Sequence, residues 1–175
     1  EPLMACPHSP DNVRPVRELE GTMIHQVAVG SCTNSSLKEM LTAASVLDGK
    51  TIPEGISLVV SPGTRQVYET LARDGGLAKI VGSGARIMES ACGACIGMGQ
   101  APGTGQVSLR TFPRNFPGRS GTKDDQVYLC SPETAAAAAL KGVITDPRDL
   151  GKEMDYPRIK HPAQYIIDKS SIIFP

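Results

Sequence analysis

The chain has 175 residues, enough for one domain with a sizeable core. Its 18 lysines and arginines balance its 18 aspartates and glutamates, which argues against a nucleic-acid or anionic-membrane surface. Five cysteines, an odd number, do not make a closed disulfide framework. With no membrane-length apolar run and no secretory pattern in its opening residues, a reducing, cytoplasmic setting is expected.

Residues 1–21, with prolines at 2, 7, 10 and 15, read as a leading segment, extended and laid on the domain surface. Residues 22–150 read as a single α/β domain. Ile24 to Val29 is a buried strand ending at Gly30. A helix follows from Ser36 to Leu47, with Leu37, Met40, Leu41, Ala44 and Leu47 on one face and Ser36-x-x-Glu39 as a capping box. Ile56 to Val60 is a second strand, and Thr64 to Arg73 a second helix stopped by Gly75-Gly76. Ala85 to Met88, Val107 to Thr111 and Gln126 to Leu129 are further strands. Ser131 caps a last helix that has Pro132 at its first position and ends at Gly142. From Asp146 proline and charge dominate, and residues 151–175 read as an exit linker. Alternating strands and helices predict a three-layer α/β/α fold with a mostly parallel sheet. Ligands in such sheets sit outside the carboxyl ends of the strands, the edge to which the fold brings Cys32 and the Cys92 pair.

Gly30-Ser31-Cys32-Thr33-Asn34-Ser35 and, about sixty residues on, Cys92-Gly93-Ala94-Cys95-Ile96-Gly97 are the segments with chemistry in them. A Cys-x-x-Cys pair with one distant cysteine suits an iron–sulfur cluster, because thiolates bind iron and small neighbours let the backbone close around it. Three cysteine ligands would leave one iron open to substrate. On spacing alone other readings stand: half a zinc site, a redox-active disulfide, or small buried cysteines after a strand. A zinc site wants a fourth ligand, and His8, His25 and His161 are scattered. Thr33 and Asn34 could hydrogen-bond cluster sulfur or cap a helix, and Ser35 reads as a cap.

Both cysteine motifs resemble those of the aconitase family, which includes aconitase, homoaconitase and isopropylmalate isomerase. Arg114-Asn115-Phe116-Pro117-Gly118-Arg119 is similar to the family's Asn-Arg-Asn-Phe-x-Gly-Arg segment. Ser131-Pro132-Glu133-Thr134-Ala135-Ala136 and Thr145-Asp146-Pro147-Arg148 also resemble family sequence. The resemblance runs from about Pro7 to the C-terminus and covers part of the family's length. It implies the iron–sulfur-bearing third domain alone, with the exit linker leading toward a swivelling domain. It further implies a [4Fe-4S] cluster on Cys32, Cys92 and Cys95, and a di- or tricarboxylate substrate bound by Arg114 and Arg119, whose guanidinium forks suit carboxylates. The reaction implied is dehydration and rehydration of a hydroxy acid, with the catalytic base and its assistants in other domains of the same enzyme. No catalytic residue is then expected in this chain, and the 175 residues alone are expected to be inactive. Pro113 departs from the pattern, which has an asparagine near the cluster. Proline lacks that amide and a backbone N–H, so local hydrogen bonding must be rebuilt here, or substrate or cluster stability differs.

Two rival readings belong to another class: an iron–sulfur assembly or redox-regulated binding module without hydratase activity, and a thiol–disulfide module using Cys92 and Cys95. Loss of Cys32 would spare the second and destroy a cluster site. Cys130 reads as core filler and Cys6 as a free thiol. His8 and Asp11 read as turn residues, and Gly82-Ser83-Gly84, without the lysine-threonine ending of a phosphate loop, as a turn.

Overall fold

The computed structural model describes residues 1–153, 158–170 and 173. Its one sheet holds β1 (Leu3–Ala5), β2 (Val13–Pro15), β3 (Gln26–Gly30), β4 (Ser57–Ser61), β5 (Arg86–Ile87), β6 (Val107–Arg110) and β7 (Gln126–Leu129). The spatial order is β2-β1-β7-β6-β3-β4-β5. The five strands from β7 to β5 run parallel, and β1 and β2 close one edge antiparallel.

Side-chain alternation sorts the strands between two faces. Val27, Val29, Leu58, Val60 and Leu109 join side chains from α1 (Leu37–Leu47), α2 (Arg65–Arg73), α3 (Gly76–Gly82) and α4 (Pro132–Lys141) in the main core. Ala28 and Val59, at the alternate positions, join Ala94, Cys95 and Phe112 in a smaller second core. The three-layer, mostly parallel α/β arrangement read from the sequence is present. On the second face, a 3-10 turn at Gly93–Ile96 and its loops cover the sheet.

Local signals explain the helices. Ser36 caps α1 in the expected box: the Glu39 amide donates to its hydroxyl at 3.4 Å, and Glu39 Oε2 accepts from the Ser36 amide at 2.7 Å. Met40 and Leu47 of α1 are fully buried, each worth roughly 2 kcal/mol of apolar burial. Ser131 caps α4, and Gly142 ends it in the left-handed region. Ala135 to Ala139 are wholly buried, so the alanine run is an interior helix rather than an exposed one.

Three features differ from the sequence reading. The leading segment is part of the sheet rather than laid on the domain surface: β1 pairs with β7, and Met4 and Val16 are buried. Three-residue strands are too short to show a period. The glycine pair at 75–76 does not simply end a helix: Gly75 turns the chain and α3 starts at once. In the exit linker, residues 158–170 lie back on α2, where Gln66 Nε2 donates to the Asp168 carbonyl at 3.1 Å and Arg73 Nη2 to that of Gln164 at 2.6 Å. The rest of that linker falls partly outside the described residues.

Asp146 joins the start of the chain to the segment after α4. Its carboxylate is fully buried, accepts from the Arg148 amide at 2.9 Å and from Arg148 Nη2 at 2.6 Å, and pairs with Arg17 Nε at 3.2 Å. The hydrogen bonds from Arg148 lead the causes that hold it below the ordinary carboxylate range. A depressed folded-state value means that its stabilisation is complete above the unfolded pKa of about 4 and is lost as pH falls through the folded value. Asp146→Asn is expected to cost about 2 kcal/mol at pH 7. Thermal melts between pH 7 and pH 3 should show the gap to wild type narrowing only below about pH 4.

Candidate functional site

β3 and β4 end side by side at Gly30 and Ser61. A Cβ on Gly30 would run into the Ser61 carbonyl, so the strand ends approach too closely for any side chain. Gly30 has φ 134°, and Ser31 follows at φ 75°, a left-handed non-glycine residue. Ser31 Oγ accepts from the Thr33 amide at 3.2 Å, and the Ser35 hydroxyl donates to the Ser31 carbonyl. These bonds close a turn that leaves Cys32 exposed just beyond the sheet.

The second motif reaches the same edge from β5. The Met88 amide donates to the Val60 carbonyl at 2.9 Å, and the chain continues through Ser90 and Ala91 to an exposed Cys92. The Cys95 amide donates to the Cys92 carbonyl at 2.8 Å, winding the 3-10 turn that buries Cys95. Gly97 ends the turn at φ 84°, where a Cβ would strike the Ser120 carbonyl. The Ser120 hydroxyl donates in return to the Cys95 carbonyl at 3.2 Å.

Cys32 and Cys92 line one cavity of about 170 Å³, with Ser31, Ser61, Pro62, Gly63, Ser90 and Ala91. Larger spaces, of about 360 Å³ between α1, α3 and residues 158–163 and about 540 Å³ beside α2, have no cysteine in their walls. Cys95 looks elsewhere: Arg119 Nη2 lies 3.5 Å from its Sγ. Arg119 Nε is buried and has no hydrogen-bond partner among the described residues.

The remaining sequence candidates divide. Thr33 Oγ1 is 3.8 Å from Cys32 Sγ. Asn34 turns away from the sulfurs, its side-chain amide donating to the Thr111 carbonyl at 2.6 Å. Ser35 is not a helix cap; Ser36 is, and Ser35 closes the cysteine turn instead. Arg114 stands exposed on the loop that carries Arg119. Two residues before Pro113, Thr111 ties the segment to β3, its hydroxyl accepting from the Gly30 amide at 2.8 Å and its own amide donating to the Ala28 carbonyl at 3.1 Å. Cys130 lies in the main core, and Cys6 is buried as well; burial pushes both thiols up. His8 and Asp11 belong to a turn in which the Asn12 amide donates to the Ser9 carbonyl at 3.1 Å.

Sequence reasoning missed the polar layer under Cys95. Arg110 has no exposed surface. Its Nε donates to Ser108 Oγ at 3.1 Å, its Nη2 to Gln26 Oε1 at 2.7 Å and to the Gln100 carbonyl at 2.8 Å, and its Nη1 to the Ala94 carbonyl. The guanidinium lies 5.4 Å from the centroid of the Phe112 ring. Burial brings its pKa down to about 10, against the opposing pull of Asp125 and Cys95, so it stays charged at neutral pH. Asp125 is buried too, and that burial raises its carboxyl. The alternation of Val107 and Leu109 with Ser108 and Arg110 was the available signal.

Among the described residues, no three His, Cys, Asp or Glu side chains gather closely enough to hold a metal ion. A single ion needs its donors within about 2.0–2.6 Å of one point. A cluster instead shares its thiolates among several irons. Two thiols with small neighbours share the cavity and a third, beside an arginine, lies in the adjoining turn; none is in a disulfide. That chemistry fits an iron–sulfur group better than an oxygen-seeking ion. No helix among the described residues is long and apolar enough to cross a membrane.

A family model described as "Aconitase family (aconitate hydratase)" matches residues 5–142. The 3-isopropylmalate dehydratase large subunit 1 of Methanopyrus kandleri is 47% identical over 150 residues, 85% of this chain and 36% of that protein. A probable 3-isopropylmalate dehydratase large subunit of Methanothermobacter thermautotrophicus is 44% identical over 152 residues, 86% of this chain and 36% of its own length. A probable methanogen homoaconitase large subunit of Methanosarcina mazei is 44% identical over 151 residues, 86% of this chain and 38% of its own. The chain thus spans little more than a third of the length of these curated relatives.

In the metal-free chain, Cys32 and Cys92 are expected to alkylate at least about ten-fold faster than Cys6, Cys95 and Cys130, because access limits the rate. Timed iodoacetamide labelling with peptide mass mapping checks this. Uniform rates would contradict the burial pattern.

Proposed function

Because the chain belongs to the aconitase family, we propose that it is the cluster-bearing part of a hydro-lyase that isomerises a hydroxy di- or tricarboxylic acid by dehydration and rehydration. Cys32, Cys92 and Cys95 are the proposed ligands of a [4Fe-4S] cluster. The observation that carries this reading is the cavity at the carboxyl edge shared by Cys32 and Cys92, with Cys95 in the adjoining turn. Cys32, Cys92 and Cys95 would hold the cluster through their thiolates, and it would supply Lewis-acid chemistry toward the substrate's hydroxyl.

The chain's own residues have simpler tasks. Arg119 places a cation beside Cys95, where it offsets thiolate charge and keeps its Nε for an acceptor that enters the site. Arg114, exposed on the same loop, is the second proposed carboxylate ligand. Thr33 offers its hydroxyl to Cys32 sulfur, and Asn34 holds the cysteine turn to the end of β6. The names of the relatives, dehydratase and homoaconitase large subunits, support a substrate of this class and partnership with further domains or a small subunit. The proton-abstracting base is proposed to lie in those other parts, so the 175 residues alone are inactive. A cytoplasmic location accords with five free thiols.

Anaerobic reconstitution with iron and sulfide tests the reading. Wild type should take up about four irons per chain and develop broad absorbance near roughly 400 nm. Cys32→Ser should lose both. A thiol–disulfide module would instead show no iron in either protein and disulfide exchange indifferent to Cys32→Ser.

A further inference from the structure

Arg110 is a charged side chain inside a strand, with no surface in contact with solvent. Such a position ordinarily takes an apolar residue, and a buried guanidinium persists only where its donors find acceptors. Here the acceptors are not random. The Ala94 and Gln100 carbonyls bracket the end of the cysteine turn and the glycine loop behind it, and both accept from the same planar fork. Gln26 and Ser108, on β3 and β6, hold that fork in plane from below. Arg86 Nη2, from β5, adds a bond to the Gly99 carbonyl at 2.5 Å.

We propose that Arg110 is the positioning residue for the second cysteine motif, its fork pinning the carbonyls of Ala94 and Gln100 to the sheet and so setting where Cys95 stands at the carboxyl edge. The consequence for a cluster rests on the proposed function; the pinning itself does not. The turn's internal bonds, from the Cys95 amide to the Cys92 carbonyl and from the Met98 amide to the Gly93 carbonyl at 2.9 Å, do not involve the sheet. Without the fork the Cys95 end of the segment would keep its local shape and loosen from the sheet, while the far end stays held by Arg86 on Gly99 and by Ser57 on the Gln100 side chain at 2.8 Å. Lysine cannot replace it, because a single ammonium group lacks two parallel donors at fixed spacing.

The test compares the full chain with Arg110→Met, Arg110→Lys and the double variant Gln26→Met/Arg110→Met. The double variant replaces a buried donor and its acceptor Gln26 Oε1 together, so that acceptor is not left orphaned; the Ala94, Gln100 and Ala101 carbonyls and the Ser108 hydroxyl still lose a partner. Alkylation of Cys95 reports the turn, and alkylation of Cys130, in the main core, reports global opening. Cys95 labelling is expected to rise about ten-fold or more in all three variants with Cys130 unchanged, accompanied by faster amide exchange across residues 93–100. A parallel rise at Cys95 and Cys130 would overturn the proposal, since Arg110 would then serve the whole fold. So would unchanged Cys95 labelling, or its return to the wild-type rate in the double variant. Wild-type reconstitution run alongside separates the two readings: no iron uptake with Cys95 still released by the variants would remove the cluster assignment and leave the anchor.

Discussion

Beneath Cys95 the guanidinium of Arg110 joins β6 to the carbonyls of Ala94 and Gln100, and the second face of the sheet is organised around that contact. A parallel sheet must cover both faces. One face here is covered by four helices through hydrocarbon. The other is covered by a turn and glycine-rich loops that have little apolar surface to give, apart from Ala94, Cys95 and Phe112. Polar side chains on the strands make up the difference by meeting loop carbonyls, and Gln26 adds a bond from its Nε2 to Ala101 at 3.1 Å. A buried charge is tolerable there because its partners are fixed.

The other end of the geometry is the parallel register. Gly30 pairs with Ser61, so the loops after β3 and β4 start at one level, and the loop after β5 arrives beside them through the bond from Met88 to Val60. Cysteines sixty residues apart become walls of one small cavity by this means alone. The helical side then needs only ordinary signals, caps and an apolar stripe. The antiparallel β1 and β2, tied down through Asp146, finish the sheet beyond β7.

As a member of the aconitase family, the chain places its motif cysteines where this fold class binds ligands, outside the carboxyl ends of the strands. Arg119 is the point at which the metal-binding and carboxylate-binding readings meet. One nitrogen lies against Cys95 sulfur while another is buried without a partner among the described residues. Its fork presents separate donors in one plane, so one faces the sulfur while another is left for a second acceptor.

By itself the sequence determined the family, the alternation of strands and helices, and the caps at Ser36 and Ser131, and it singled out the motif cysteines. Each of these is written in local order: a period, a cap residue, a motif. The burial of Cys130 was legible in the same way, from the apolar strand before it. Only the tertiary structure decided which loops meet. That Asn34 reaches Thr111 rather than a sulfur and that β1 completes the sheet follow from contacts between segments remote in sequence; Ser35 closes a local turn on Ser31, and its carbonyl is held from outside by the Gly63 amide. Arg110 is the clearest case. In the string it is one charged residue after a leucine; its role exists only because strand alternation turns it under a turn that the chain built sixteen residues earlier. Local propensity is a property of neighbours along the chain, whereas a buried fork is defined by acceptors that folding alone brings within reach.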